Sequence, residues 1–156
     1  MTLSTPEGLA SLLGREPRGP VEVVLRDDKG EPVVICNAPI LDDGTPMPTR
    51  YWLVGKQAKL VIDRLESAGG VGAAEAAVDP AELERAHRRY AEERDAAMPS
   101  DWNGPRPSGG VGGTRRGVKC LHAHYAWFLV GGDDPVGRWV AEQLSGAPLG
   151  PGPSDK

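Results

Sequence analysis

Glycine and proline interrupt this chain so often that no regular element in it can be long: 21 glycines and 15 prolines fall among 156 residues. Glycine supplies the left-handed residue that ends a helix, and proline is excluded from helix interiors and central strands. At this density loops begin to dominate. The hydrophobic fraction of 39% still supplies one modest core. The expectation is a single α+β domain over residues 1–145, with a small antiparallel sheet of about three strands, four or five short helices and long Gly/Pro-rich loops. Residues 146–156 read as a flexible tail.

Between the breaks, pattern assigns the elements. Thr5-Pro6-Glu7 is a helix start, with the helix ending at Gly14. Residues 21–25 and 32–36 are β-rich and flank Asp27-Asp28-Lys29-Gly30, which predicts a hairpin. Residues 37–50 are dense in turn formers: Asp43-Gly44 makes a tight turn, and Pro46 and Pro48 hold Thr45 and Met47 extended. A third strand follows at 51–54. A helix over 56–68 carries Leu60, Ile62 and Leu65 on one apolar face and stops at Gly69-Gly70. Asp79-Pro80 opens a helix over 81–97 that is charged nearly all round, with Leu83, Ala86, Tyr90 and Ala97 as a thin apolar stripe and Glu84–Arg88 as a supporting pair. His87 reads as part of its exposed surface. Residues 99–117 form a long loop, 118–130 a helix, and Asp134-Pro135 starts a last helix through about Leu144.

Composition excludes several classes of function. A net charge of −4 argues against general nucleic-acid or membrane-surface binding, so any anion site is local. Two cysteines make no disulfide framework and suit a reducing compartment. There is no signal-peptide pattern and no apolar run of membrane-spanning length, which together point to the cytoplasm.

The chemistry gathers in residues 108–130, SGGVGGTRRGVKCLHAHYAWFLV. Arg106, Arg115, Arg116 and Lys119 stand against Asp101 alone. The glycines among them and the start of the next helix suggest an anion cradle, although the Walker spacing is absent. The bland reading is a flexible loop with solvated arginines. Cys120, in the first turn beside Lys119, is either a thiol with thiolate character or a small buried residue. A regular helix would place Val118, Leu121, His122, Tyr125, Phe128 and Leu129 on the core side. Cys120, His124 and Trp127 would then share the other face, and His122 would point away from Cys120. Three uses stay open: a Cys/His nucleophile pair lacking an orienting residue, a zinc set with Cys36 lacking a fourth ligand, or a core histidine bracing the 45–49 loop. No metal set and no cofactor are assigned.

The segments DDGTPMPTRYWL (42–53), GVKCLHAH (117–124) and GGDDPVG (131–137), in this order and spacing, resemble the bacterial family catalogued as domain of unknown function 501, over roughly residues 12–144. The resemblance implies no activity. It implies a gene neighbourhood with a division-septum protein and an exopolyphosphatase. It also implies a second histidine five residues after the first; this chain has Trp127 there and His124 one turn earlier.

The leading expectation is a protein that binds, and by extension turns over, a small phosphorylated or otherwise anionic ligand where the 109–120 loop meets the 43–50 loop. Thr45, Thr49, Arg50, Arg115, Arg116 and Lys119 would bind it, and Cys120, His122 and His124 would supply the chemistry. The rival is a non-catalytic protein-interaction module tied to cell division, docking through the charged 81–97 helix. Oligomeric state is not legible.

Overall fold

A computed structural model describes residues 18–146; the expected helix at 5–14 and the expected tail lie outside them. The sheet is antiparallel, in the order β1 (Val21–Arg26), β2 (Pro32–Asn37), β3 (Tyr51–Leu53). The hairpin turn closes because Asp27 accepts through its side chain from the Lys29 and Glu31 N–H groups, at 2.9 and 3.0 Å. Gly30 takes the left-handed φ of 84° that this turn requires. β2 lies in the centre, and its alternation sets the two faces. Val34, opposite Leu53, faces the helices, while Ile35, opposite Trp52, packs with Val54 on the other side.

Among the described residues five α-helices follow: α1 (Lys56–Ser67), α2 (Gly70–Ala77), α3 (Pro80–Ala96), α4 (Leu121–Leu129) and α5 (Pro135–Gly146). With the three strands they make the small α+β fold expected from the sequence. α1 ends at Gly69, whose φ of 90° serves both that stop and the start of α2. α2 is the unforeseen helix. Its sequence, GVGAAEAA, has no apolar period to read, and it is held through burial of Ala74. Asp79 caps α3 by accepting from the Glu82 N–H at 3.0 Å. Glu84 and Arg88 pair at 3.9 Å, as their spacing predicts.

α4 is the centre of the molecule, packed against β3, α1 and α5. Leu121 and Ala126 enter the main core with Val34, Ile62 and Val140, whereas Ala123 and Trp127 enter a second core with Ala86, Tyr90 and Val111. The single core-facing stripe expected for this helix is therefore incorrect. A helix clamped from two sides buries two stripes, and Tyr125, Phe128 and Leu129 are only half-buried.

α3 also departs from expectation. Its packed side includes His87 and Arg94, which are 4% and 1% exposed, while Ala97 lies exposed beyond the helix. Arg94 Nη1 donates to the carbonyls of Pro48 (3.1 Å) and Gly109 (3.0 Å), so one buried guanidinium ties together the two loops that the sequence placed side by side. Tyr90 Oη accepts from the N–H groups of Arg50 (2.5 Å) and Tyr51 (3.1 Å), anchoring the start of β3 to α3. No helix among the described residues is long and apolar enough to cross a membrane.

Candidate functional site

The long 97–120 segment reaches its site through buried polar contacts. His87 corrects the expectation of an exposed histidine: its Nδ1 accepts from the Val111 N–H at 3.1 Å and its Nε2 lies 2.9 Å from the Gly117 carbonyl. That pattern requires a neutral ring with the proton on Nε2. Burial accordingly pushes the His87 pKa down, against the Gly117 carbonyl, which raises it. Gly110 packs on the His87 side chain so closely that a Cβ there would collide with it.

Beyond this anchor the chain turns through a short 3-10 turn, Val111–Gly113, and the expected basic cradle divides in two. Arg115 and Arg116 go to one side, lining an open hollow of about 390 Å³ with Glu84, His87 and Arg88. Lys119 and Cys120 go to the other side, lining a cleft of about 280 Å³ with Thr49, Tyr51, Trp52, Lys59 and His122. Gly112 forms part of the cleft wall; at φ 69° it adopts a backbone that other residues rarely accept. Thr45 and Arg50 line neither space. The Thr45 N–H donates to Asp43 Oδ1 at 3.0 Å within its own turn, and Arg50 Nη1 donates to the Asn37 carbonyl at 3.1 Å.

The two histidines of α4 exchange their expected places. Cys120 precedes the helix in extended conformation (φ −153°, ψ 155°), so the helical angle per residue does not run through it. An N-cap side chain turns back over the first helical residues instead. Cys120 Sγ, a ring nitrogen of His122 and a carboxylate oxygen of Glu66 consequently lie within 4.8 Å of one another. His124 is the core residue: 1% exposed, with Nδ1 2.6 Å from Asp134 Oδ2, while Asp134 Oδ1 accepts from Val136 N–H at the start of α5. Its Nε2 has no hydrogen-bond partner among the described residues. His124 therefore does not share a face with Cys120 as expected.

The orienting group that sequence reading lacked comes from α1. His122 Nε2 lies 2.7 Å from Asp63 Oδ1, and Nδ1 lies 3.2 Å from Glu66 Oε2. Glu66 Oε2 also accepts from the Leu121 N–H at 2.6 Å, and Glu75 Oε2 accepts from the Val118 N–H at 2.7 Å. The first N–H of α4, expected to be open to a ligand anion, is thus taken by the protein's own carboxylate. Lys59, Asp63 and Glu66 share one face of α1 at helical spacing. That charged stripe was the available signal for these residues, but nothing local showed what it faced.

These contacts shift both groups toward their charged forms. Hydrogen bonding to Cys120 raises His122 to about 9, with Asp63 and Glu66 adding to it against partial burial. Burial pushes the Cys120 thiol up, but the His122 hydrogen bond and charge and the approach of the Ala123 N–H outweigh it, leaving the thiol below its usual value. Cys36, the other free cysteine, is held above its usual value by burial. The arrangement can therefore hold a thiolate beside an imidazolium in a cleft rimmed by two lysines. A thiolate in that position would have a cationic surround.

Comparison with curated proteins gives no match, and comparison with solved structures gives none. The family model described as "Protein of unknown function (DUF501)" matches residues 23–142, a span holding all three histidines, Cys120 and the α1 carboxylates, and the chain belongs to that family.

Proposed function

We propose that the protein binds a small anionic molecule in the cleft between β3 and the start of α4 and acts on it through Cys120. The observation that carries this reading is the convergence of Lys59, Lys119, Cys120 and His122 on one cleft whose opposite wall is Tyr51, Trp52 and Leu53. The lysines and the His122 imidazolium attract the anionic group, and the aromatic wall takes an apolar or planar remainder. The Cys120 thiolate is placed to attack an electrophilic carbon or phosphorus atom of the bound molecule, with His122 returning a proton to the leaving group. A reducing, cytoplasmic compartment suits such a thiol.

A thermal-shift screen in a metal chelator, using phosphate esters, nucleotides and carboxylates, tests the reading. A ligand that stabilises the wild type and not the Lys59→Met/Lys119→Met variant supports it. Stabilisation abolished by Arg115→Ala/Arg116→Ala, and unaffected in the lysine variant, would move the site to the other hollow. A silent screen, with a protein partner recovered through the charged face of α3, would favour the interaction reading.

A further inference from the structure

The donor set beside the cleft suits more than a proton. Glu66, Cys120 and His122 each direct one ligand atom into a common space, all within 4.8 Å of one another. Around a tetrahedral zinc ion, with Zn–S of about 2.3 Å and Zn–N or Zn–O of about 2.0–2.2 Å, ligand atoms lie well within that separation. From these positions we propose that Glu66, Cys120 and His122 form a binding site for a thiophilic divalent cation of the zinc class. The fourth coordination position would face the 280 Å³ cleft.

Three features of the surroundings fit a metal better than a bare hydrogen-bonded cluster. The ligands are of mixed type, one sulfur, one nitrogen and one oxygen, which suits a borderline-soft cation and not calcium or magnesium. The ring nitrogen of His122 remote from the site is held by Asp63 at 2.7 Å, the carboxylate–histidine–metal arrangement that fixes ring orientation at metal centres. The Leu121 N–H, donating to Glu66 Oε2 at 2.6 Å, orients the carboxylate in the same way. Cys36, the zinc ligand considered from sequence, is not among the clustered donors; Glu66 takes its place.

Three protein ligands and one open position are the pattern of a catalytic zinc site, whereas structural sites are closed by four. The proposal deepens the anion-binding reading and rests on the same cleft. A cation there gives the anion a direct ligand bond in addition to Lys59 and Lys119, and it binds the Cys120 sulfur, so the loaded protein has no free thiolate in the cleft. The metal-free and metal-loaded proteins are then two chemical states of one cleft.

The experiment uses chelator-stripped full-length protein titrated with Cd2+ and Co2+, followed by thiolate-to-metal charge-transfer absorption and, for Co2+, by the visible bands of tetrahedral coordination. The expected result is one cation per chain, with the charge-transfer band lost in Cys120→Ser and retained in Cys36→Ser. His122→Ala and Glu66→Gln should weaken binding at least tenfold; Glu66→Gln keeps an acceptor for the Leu121 N–H, so the helix start survives it. Asp63→Asn, which touches only the far ring nitrogen, should weaken binding by about 10- to 100-fold. The proposal is overturned if no charge-transfer band forms, if the band survives Cys120→Ser, or if His122→Ala and Glu66→Gln leave the affinity unchanged. Lys59→Met/Lys119→Met should bind the cation at least as tightly as the wild type, because two nearby positive charges are gone, while losing anion stabilisation of the stripped protein, so the two readings fail separately.

Discussion

Replacing Arg94 with methionine should destabilise the protein by about 3 kcal/mol while leaving its fold class intact. The side chain is 1% exposed, and its Nη1 donates to two carbonyls from loops that do not otherwise belong to one element, Pro48 and Gly109. A hydrogen bond from a charged donor contributes about 1.5–3 kcal/mol, and a buried acceptor left unpaired costs a similar amount. Two such bonds give roughly 4 kcal/mol, and removing the burial cost of the guanidinium while keeping an apolar stem returns about 1 kcal/mol. For a chain of this size 3 kcal/mol corresponds to roughly 10 °C in Tm. Urea unfolding gives the free energy, and Arg94→Lys, which reaches one carbonyl at a time, should retain about half of it. Trypsin should also cut faster at Arg115 and Arg116 once the 97–120 loop is released; Arg106, followed by Pro107, stays resistant. If Arg94→Met unfolds within ~0.5 kcal/mol of wild type, the usual range for a surface change, the reasoning that this residue holds the two loops is wrong.

Two further predictions concern the buried histidines. The His87 pKa is lower in the folded protein than its usual value of about 6.5, so its contribution to stability is whole above that pH and lost as pH falls through the folded value. Stability measured by urea from pH 7.5 downward should fall less in His87→Gln, whose amide can keep both the Val111 and Gly117 contacts; an identical fall in both proteins would contradict this. His124→Ala removes the only ionic partner that the fully buried Asp134 has among the described residues, and should cost about 4 kcal/mol, whereas Asp134→Asn, which keeps a neutral pair, should cost less than half as much. Equal costs for the two variants would show that the pair carries no charge.

The sheet was legible because its signals are local: an Asp-initiated turn with glycine at its end, flanked by β-branched runs. The Asp79 and Asp134 helix starts were legible for the same reason. What failed is what depends on the partner of a face. A 100°-per-residue projection through Cys120 gave the wrong histidine, because the residue before α4 is extended and helical spacing starts only at Leu121. The apolar pattern of α4 suggests one buried stripe, whereas the helix has two, one in each core. The charged appearance of α3 concealed His87 and Arg94, since a polar side chain can be buried wherever backbone carbonyls and N–H groups arrive to meet it, and those come from residues 15 to 46 positions away. Asp63 and Glu66 were equally out of reach: they stand 59 and 55 residues from the α4 groups they bond. The cations of the basic loop adjoin in sequence, which suggests one cradle, yet the reversal through Val111–Gly113 and the turn at Gly117 send Arg115 and Arg116 to one side and Lys119 to the other.

In chelator-treated protein Cys120 should be the reactive cysteine, because its thiol lies below its usual pKa and that of Cys36 above. Alkylation by iodoacetamide, followed by mass spectrometry across pH, should modify Cys120 at lower pH than Cys36, and His122→Ala should move the Cys120 profile upward because the imidazolium that favours the thiolate is gone. Iodoacetate carries a negative charge and is otherwise similar, so it reports the field of the cleft. It should react with Cys120 faster relative to iodoacetamide than it does with a free thiol, and Lys59→Met/Lys119→Met should abolish that preference. A Cys120 that resists both reagents until the protein unfolds, or that reacts with no preference for the anion, would contradict the reading of this cleft as an anion-binding site built around a reactive thiol.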